Sequence, residues 1–384
     1  MPKLLFGEAF SEHFDPPNVM VLCGAERRTD LGFSMRAITV SPGQAGSVRL
    51  EDVPDPPASD GPILVRTVAL GVCGTDRDIV AGEYGWAPPG ENRLVLGHES
   101  LGRVEQTPAD TGVVPGDLVV GIVRRPDPVP CPACAVGEWD MCRNGRYTER
   151  GIKERNGYGA ERFRLESEFA VRVDPGLGLL GVLLEPASIV AKAWDHTERI
   201  GHRSRAWMPK TLMVTGAGPI GLLAALMGAQ RGLDVHVLNR HASDLKSSLV
   251  RELGGSFHTD GMAAVDRVQP DVLIECTGSP ELIGEVLART ASGGIVCLTG
   301  VTAPGHARSF DIGRYNRTMV LNNDAVFGTV NANRRHYEMA AKALALADKT
   351  WLARLITRRV SVERWSEALL HSADDIKVVI DFSL

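Results

Sequence analysis

Between residue 35 and about residue 170, apolar positions come in short runs broken by Gly and Pro: ILVRTVALGVCG, LVLGHESLGRV, DLVVGIV and EFAVRV. Runs of roughly 4–8 residues rich in Val and Leu, with turn residues between them, predict a β-rich domain. Near residue 180 the texture changes. LLEPASIVAKAW carries apolar residues at helical spacing, and TLMVTGAGPIGLLAALMGAQRGLDVHVLNRH reads as strand, glycine turn, long apolar helix and second strand. DVLIECTG, ELIGEVLART and GGIVCLTG continue the alternation, which implies an α/β region with a parallel sheet and crossover helices. From about Arg335 the pattern predicts a helix (HYEMAAKALALAD), a second amphipathic helix (VERWSEALLHSADD) and a terminal strand (IKVVIDF).

Residues Met1–Ser34 lack periodicity and carry charges throughout, and Met35 opens the strand-like MRAITV. They read as an extension, disordered or loosely docked. The expected division is therefore an extension over 1–34, a β-rich domain over 35–201, a βα domain over 202–334, and a return to the first domain over 335–384.

With 44% apolar and 23% charged residues among 384, the chain has enough apolar material for a full core. A net charge of −5 excludes a generally basic surface of the kind that nucleic acids or anionic membranes require. The apolar stretch Gly176–Leu184 is about half of the ~20 residues that a membrane helix needs. Seven cysteines, an odd number in a long chain, do not read as a disulfide framework. The expectation is a soluble, cytoplasmic protein without nucleic-acid or membrane partners.

Val214-Thr-Gly-Ala-Gly-Pro-Ile-Gly221 fits G-x-G-x-x-G between a strand and a helix. Gly216 permits the tight turn, Gly218 lets the backbone approach a pyrophosphate, and Gly221 lets helix and strand pack closely. Pro219 and Ile220 open the helix, whose free N–H groups suit phosphate. Thr277 and Gly278, after the strand in DVLIECTG, join the same cofactor set. At the end of the second strand, where NAD sites usually carry a carboxylate, stand Asn239-Arg240-His241. Arg240 can pair with a 2′-phosphate, while Asn239 can still bond a ribose hydroxyl. NADP is favoured and NAD remains open.

Cys73 in GVCGTD, His98-Glu99 in LGHES and Glu185 in LLEPAS offer a thiolate, an imidazole and carboxylates, a set that suits Zn²⁺ with an open position for substrate. Cys131-Pro-Ala-Cys134 followed by Cys142 is a second metal signal, three thiolates short of one ligand. Asp127 is the nearest fourth, with Glu138 or Asp140 behind it; the alternative is an empty remnant of a site. Cys276 and Cys297 sit in apolar strands and read as core.

With these pieces placed, the chain resembles the zinc-dependent medium-chain dehydrogenase/reductase superfamily, and within it the archaeal-type glucose 1-dehydrogenases and their bacterial relatives. The likeness covers about Met35 to Leu384, through GVCGTD, LGHES, the cysteine lobe, GAGPIG, VRRPDP, YTERGI, LLEPASIVAKAW and FGTVNANRRHYE. It implies a doubly wound Rossmann sheet inserted into a GroES-like catalytic domain, with a cleft between them. It further implies Cys73, His98 and Glu185 as catalytic zinc ligands, Glu99 as a carboxylate that can exchange onto the metal, and Thr75 as the hydroxyl that hands on the substrate proton. Glu149 and Asn331 match positions that bond sugar hydroxyls. Pro128 stands where the first of four lobe cysteines would fall.

The implied reaction is oxidation of glucose or a close aldose at C1 to the lactone, with hydride passing to NADP or NAD, in a dimer or tetramer. Two alternatives stand beside it: a zinc-dependent alcohol or polyol dehydrogenase, and a zinc-free quinone-type reductase.

Overall fold

The computed structural model describes residues 34–302, 305, 309–370 and 372–384. The extension expected over the first residues lies outside this set up to residue 33; Ser34 already belongs to the opening strand, Ser34–Val40.

Two sheets organise the described residues. The first is a seven-stranded, largely antiparallel sheet in which Ile63–Val72 pairs with Glu99–Gln106 on one side and with Lys377–Asp381 on the other. Its inward side chains, among them Val65, Leu70, Val104, Phe163 and Ile380, form one core with Ile38 and Tyr158. The last strand is the physical return of the chain: Val378 lies opposite Val72, more than three hundred residues earlier in sequence.

The second sheet is parallel throughout and runs Ser256–His258, Asp234–Leu238, Thr211–Thr215, Val272–Glu275, Ile295–Leu298, Ala325–Gly328. The order reverses on the two sides of Thr211–Thr215. That is the switch point of a doubly wound sheet, where a crevice opens beyond the strand ends. Helix Pro219–Gln230 follows this strand and is apolar all round because it is enclosed; every residue from Gly221 to Gly228 is buried. The fold class is thus the expected one, a Rossmann sheet joined to a GroES-like β domain.

Helix Leu184–Gly201 belongs to both halves. Its buried face (Ala187, Val190, Ala191, Trp194) shares a core with Leu222 and Leu226 of the glycine-turn helix and with Leu101 and Val120 of the antiparallel sheet. Together with the turn before it, Pro175–Gly201 is long and apolar enough to span a membrane by length and composition, which corrects the count made on Gly176–Leu184 alone. Most of it is buried inside the protein.

One element is shorter than its pattern. VERWSEALLHSADD forms a single 3₁₀ turn, Val362–Arg364, and a short helix, Trp365–Leu369. Arg358 donates to the carbonyls of Glu367 (2.5 Å) and Leu370 (2.8 Å), and Arg77 to that of Leu369 (3.1 Å). Arginines thus satisfy carbonyls that a longer helix would have used internally.

Candidate active site

Ile63–Val72 ends at Cys73, and the short helix Gly74–Val80 begins there. Asp76 accepts the Cys73 N–H at 2.9 Å, which fixes the thiol at the helix start. His98 and Glu99 stand where the neighbouring strand begins. Gly97, at φ +95°, is held against Leu70, and a Cβ there would lie 2.6 Å from a Leu70 methyl. Gly71 makes room in the same way, since its Cβ would lie 2.1 Å from Glu99 Oε2.

Cys73 Sγ lies 3.1 Å from His98 Nε2, and donor atoms of Cys73, His98 and Glu99 fall within 4.8 Å of one another. Glu185, buried at the start of the long helix, lines the same cleft. The ring of His98 turns its other nitrogen to Asp76 at 3.2 Å. A carboxylate in that place fixes which nitrogen faces a metal.

Three carboxylates, Asp76, Glu99 and Glu185, crowd this wall with His98 and Lys377. Burial by itself would push His98 down, yet the charges of Cys73 and Asp76 hold it well above the usual histidine range. Burial pushes Glu185 up to about 7, with Glu99 and Asp76 adding to the rise and His98 and Lys377 opposing it. Lys377 supplies one compensating cation, donating to both oxygens of Glu99 at 2.7 and 2.6 Å. A half-buried cysteine beside a buried imidazole and buried carboxylates is a donor set that fits a zinc ion.

Across a cleft of about 1170 Å³ lies the glycine turn. Gly216 adopts φ +94°, and Gly221 sits so close behind it that a Cβ would lie 1.8 Å from the Gly216 carbonyl oxygen. Gly218 has nothing within 4 Å of its Cβ position and leaves the backbone open to a pyrophosphate. Pro219, Ile220, Asn239, Arg240, His241 and Thr277 line the cleft as well.

Asn239 braces the glycine turn. Its Oδ1 accepts from Ala217 N–H (3.2 Å) and its Nδ2 donates to the His241 carbonyl (2.8 Å), so it ties the glycine turn to the second strand. Arg240 is exposed beside it, and Ser243 and Lys246 line the cleft nearby. Gly278 stands behind the wall at φ +65°, and its N–H reaches Glu275 Oε2 at 3.1 Å.

Thr75 and Asn331 face the cleft with the cysteine, whereas Glu149 does not line it. Glu149 is buried behind Asn331, whose amide donates to Glu149 Oε1. Arg124 donates to that same oxygen at 2.9 and 3.1 Å.

The cysteine lobe lies outside the cleft. Cys131, Cys134 and Cys142 bring their sulfurs together, with Cys131 and Cys134 3.6 Å apart. N–H groups of Arg143 and then Cys134 lower Cys131 to about 6. Asp127 turns away from them: its oxygens accept from Val129 N–H (2.8 Å), Asn144 (2.8 Å) and Arg146 (3.2 Å). Glu138 faces Arg199 at 3.6 Å and Asp140 faces Lys192 at 2.9 Å. Three sulfurs give a zinc three of its four tetrahedral ligands, and among the described residues no carboxylate joins their group. Cys297 is strand core as expected; Cys276 lies one residue past its strand and is only partly buried.

Several residues of the site were not singled out from the pattern: Asp76, Glu275 and Lys377. Glu275 is wholly buried at the end of its strand and accepts from Thr277 and Gly278 N–H at 2.7 and 3.1 Å, setting the loop that walls the cleft. The available signal was a charge inside an apolar run, Glu in VLIEC and Lys in IKVVI.

Residues 59–175 match the alcohol dehydrogenase GroES-like domain family, and residues 178–382 match the glucose dehydrogenase C-terminus family. Glucose 1-dehydrogenase of Methanocella arvoryzae is 38% identical over 357 residues, covering 90% of this chain and 99% of that one. The Thermoproteus tenax glucose 1-dehydrogenase is 39% identical, with 90% and 99% covered. The structure of Haloferax mediterranei glucose dehydrogenase in complex with NADP, Zn and gluconolactone superposes with a TM-score of 0.81 at 33% identity, covering 91% of this chain and all of that one.

Proposed function

The chain belongs to the glucose dehydrogenase family of zinc-dependent medium-chain dehydrogenases, and from that premise we propose that it oxidises D-glucose, or a close aldose, at C1 to the lactone and passes the hydride to NADP, with NAD as a second acceptor. The observation that carries this reading is the 3.1 Å approach of Cys73 Sγ to His98 Nε2, with Glu99 and Glu185 beside it, on the wall of the cleft that faces the glycine turn.

In this reading Cys73, His98 and Glu185 hold the zinc, and Glu99 stands ready beside them on Lys377. The metal supplies a Lewis acid for the anomeric hydroxyl, and the nicotinamide supplies the hydride acceptor. The chain's own residues do the rest. Thr75, at the start of its short helix in the same cleft, takes the hydroxyl proton and hands it outward. Asn331, with the Glu149 carboxylate bonded behind it, offers donor and acceptor to the sugar hydroxyls. A site built to bond hydroxyls rejects substrates that lack them more sharply than an apolar pocket can. Gly216, Gly218 and Gly221 seat the pyrophosphate, Asn239 braces the turn, and Arg240 reads the 2′-phosphate.

The three-sulfur lobe supplies three of the four ligands that a second, structural zinc would take. Helix Ile312–Asn322 has no buried residue among those described and exposes Ile312, Val320 and Leu321; this supports a homo-oligomer, a dimer or tetramer. The net charge of −5 and the thiolate usage support a cytoplasmic enzyme without nucleic-acid or membrane partners.

A panel of aldoses and simple alcohols, each offered with NADP and NAD, tests the reading by nicotinamide absorbance. Turnover of glucose above that of secondary alcohols is expected. Preference for a simple alcohol would replace the sugar with an alcohol substrate.

A further inference from the structure

Behind the Asn331 loop lies a buried polar network that the reaction does not use. Its centre is Asp140, on the 3₁₀ turn Trp139–Met141, two residues before Cys142. Asp140 Oδ2 lies 2.9 Å from the ammonium of Lys192, and both side chains are almost wholly buried. Lys192 in turn donates to the carbonyl of Val330 at 2.9 Å. Asp140 Oδ1 accepts from the Asn333 amide at 2.7 Å.

The main chain of the same residue reaches the loop by a second route. The Asp140 carbonyl accepts from Arg124 at 3.1 Å, Arg124 holds Glu149, and Glu149 holds Asn331. Asn331 is thus fixed from three sides: by the carbonyl before it, by the residue two after it, and by its own side chain. These bonds also hold its backbone at φ +62°, a left-handed conformation that costs free energy in residues with a side chain, least in asparagine and aspartate.

The same network brings donor atoms of Asp140, His196 and His336 within 4.8 Å of one another. It already holds its cation in Lys192. His336 Nδ1 accepts the Asn333 N–H at 3.3 Å, and its Nε2 faces Asp195 at 3.4 Å, so the ring is engaged on both sides.

We infer that Asp140 and Lys192 are positioning residues for sugar recognition, which set the Asn331 loop and tie it to the cysteine lobe. The inference rests on Asn331 being a sugar contact. It places the effect on sugar binding, not on the nucleotide, because among the described residues none of the network's hydrogen bonds reaches the glycine turn.

The test is steady-state kinetics and thermal unfolding of Asp140→Asn, Lys192→Gln, the double variant, and Asn331→Gly, whose glycine keeps the positive φ free of strain. Asp140→Asn keeps an acceptor for Asn333 but removes the charge opposite Lys192. The expected result is a sugar KM raised about tenfold, the order that a misplaced contact costs, with the KM for NADP within about twofold of wild type. The double variant, free of an unpaired buried charge, is expected to recover the unfolding temperature but not the sugar KM. If Asp140→Asn lowers the unfolding temperature alone, leaving the sugar KM unchanged while Asn331→Gly raises it, the inference is overturned and the sugar contact stands. If Asn331→Gly leaves the sugar KM unchanged, the assignment of Asn331 fails and the inference falls with it.

Discussion

Lys377, on the last strand, bonds both oxygens of Glu99, at 2.7 and 2.6 Å, and also the Val72 carbonyl at 3.3 Å. The two side chains are 1% and 3% exposed. The end of the chain therefore closes the floor of the candidate metal site, and the antiparallel pairing of Lys377–Asp381 with Ile63–Val72 is what brings it there.

Lys377→Met is expected to lower the unfolding free energy by roughly 3–5 kcal/mol, because it strands the Glu99 carboxylate in the interior. Urea unfolding measures this. Adding Glu99→Gln to Lys377→Met is expected to restore most of the loss; a double variant no more stable than Lys377→Met alone would mean that the pair is not the source.

Arg240→Ala is expected to raise the KM for NADP about 10–100-fold, the worth of a charge-assisted hydrogen bond to phosphate, and to leave that for NAD nearly unchanged. Parallel titrations of the two nucleotides check this. Equal effects on both would remove Arg240 as the reader of the 2′-phosphate.

Gly221→Ala places a methyl 1.8 Å from the Gly216 carbonyl oxygen. The turn must shift, at a cost of about 1–3 kcal/mol, which predicts a nucleotide dissociation constant roughly 5–150-fold higher by fluorescence titration. Unaltered binding would show that the turn does not carry the pyrophosphate.

How much of this was legible beforehand divides by distance along the chain. The glycine turn, GVCGTD and LGHES are local: each motif's residues act within a few positions, so spacing alone exposes them. The Lys377–Glu99 pair spans 278 positions, Asn333–Asp140 spans 193 and Asn331–Glu149 spans 182. Only the strand order creates those contacts, and no periodicity encodes it. Asp127 differs: its nearness to the cysteines in sequence suggests a ligand, while the folded loop gives its oxygens to Asn144 and Arg146, 17 and 19 positions on. The short helix Trp365–Leu369 was overread because tertiary arginines end it.

Acid should expose a different pair. Burial alone would raise the Glu166 carboxyl, but hydrogen bonds and charge from Arg125, with the charge of Arg155, hold it below the ordinary 4.5. A group depressed in the folded state adds stability above its unfolded pKa and loses it as pH falls through the folded value. Glu166→Gln should therefore lower the unfolding temperature at neutral pH, and the gap to wild type should close below about pH 4, under the unfolded glutamate pKa. A gap that persists unchanged in acid would contradict the assignment.

The most direct measurement is the initial rate of glucose oxidation with NADP, followed before and after exhaustive chelation and again after Zn²⁺ is restored, with Cys73→Ser alongside. The account predicts loss of turnover on chelation, recovery with zinc, and a Cys73→Ser variant that binds NADP but does not turn over. Full activity in a chelated enzyme holding less than one zinc per chain would contradict it.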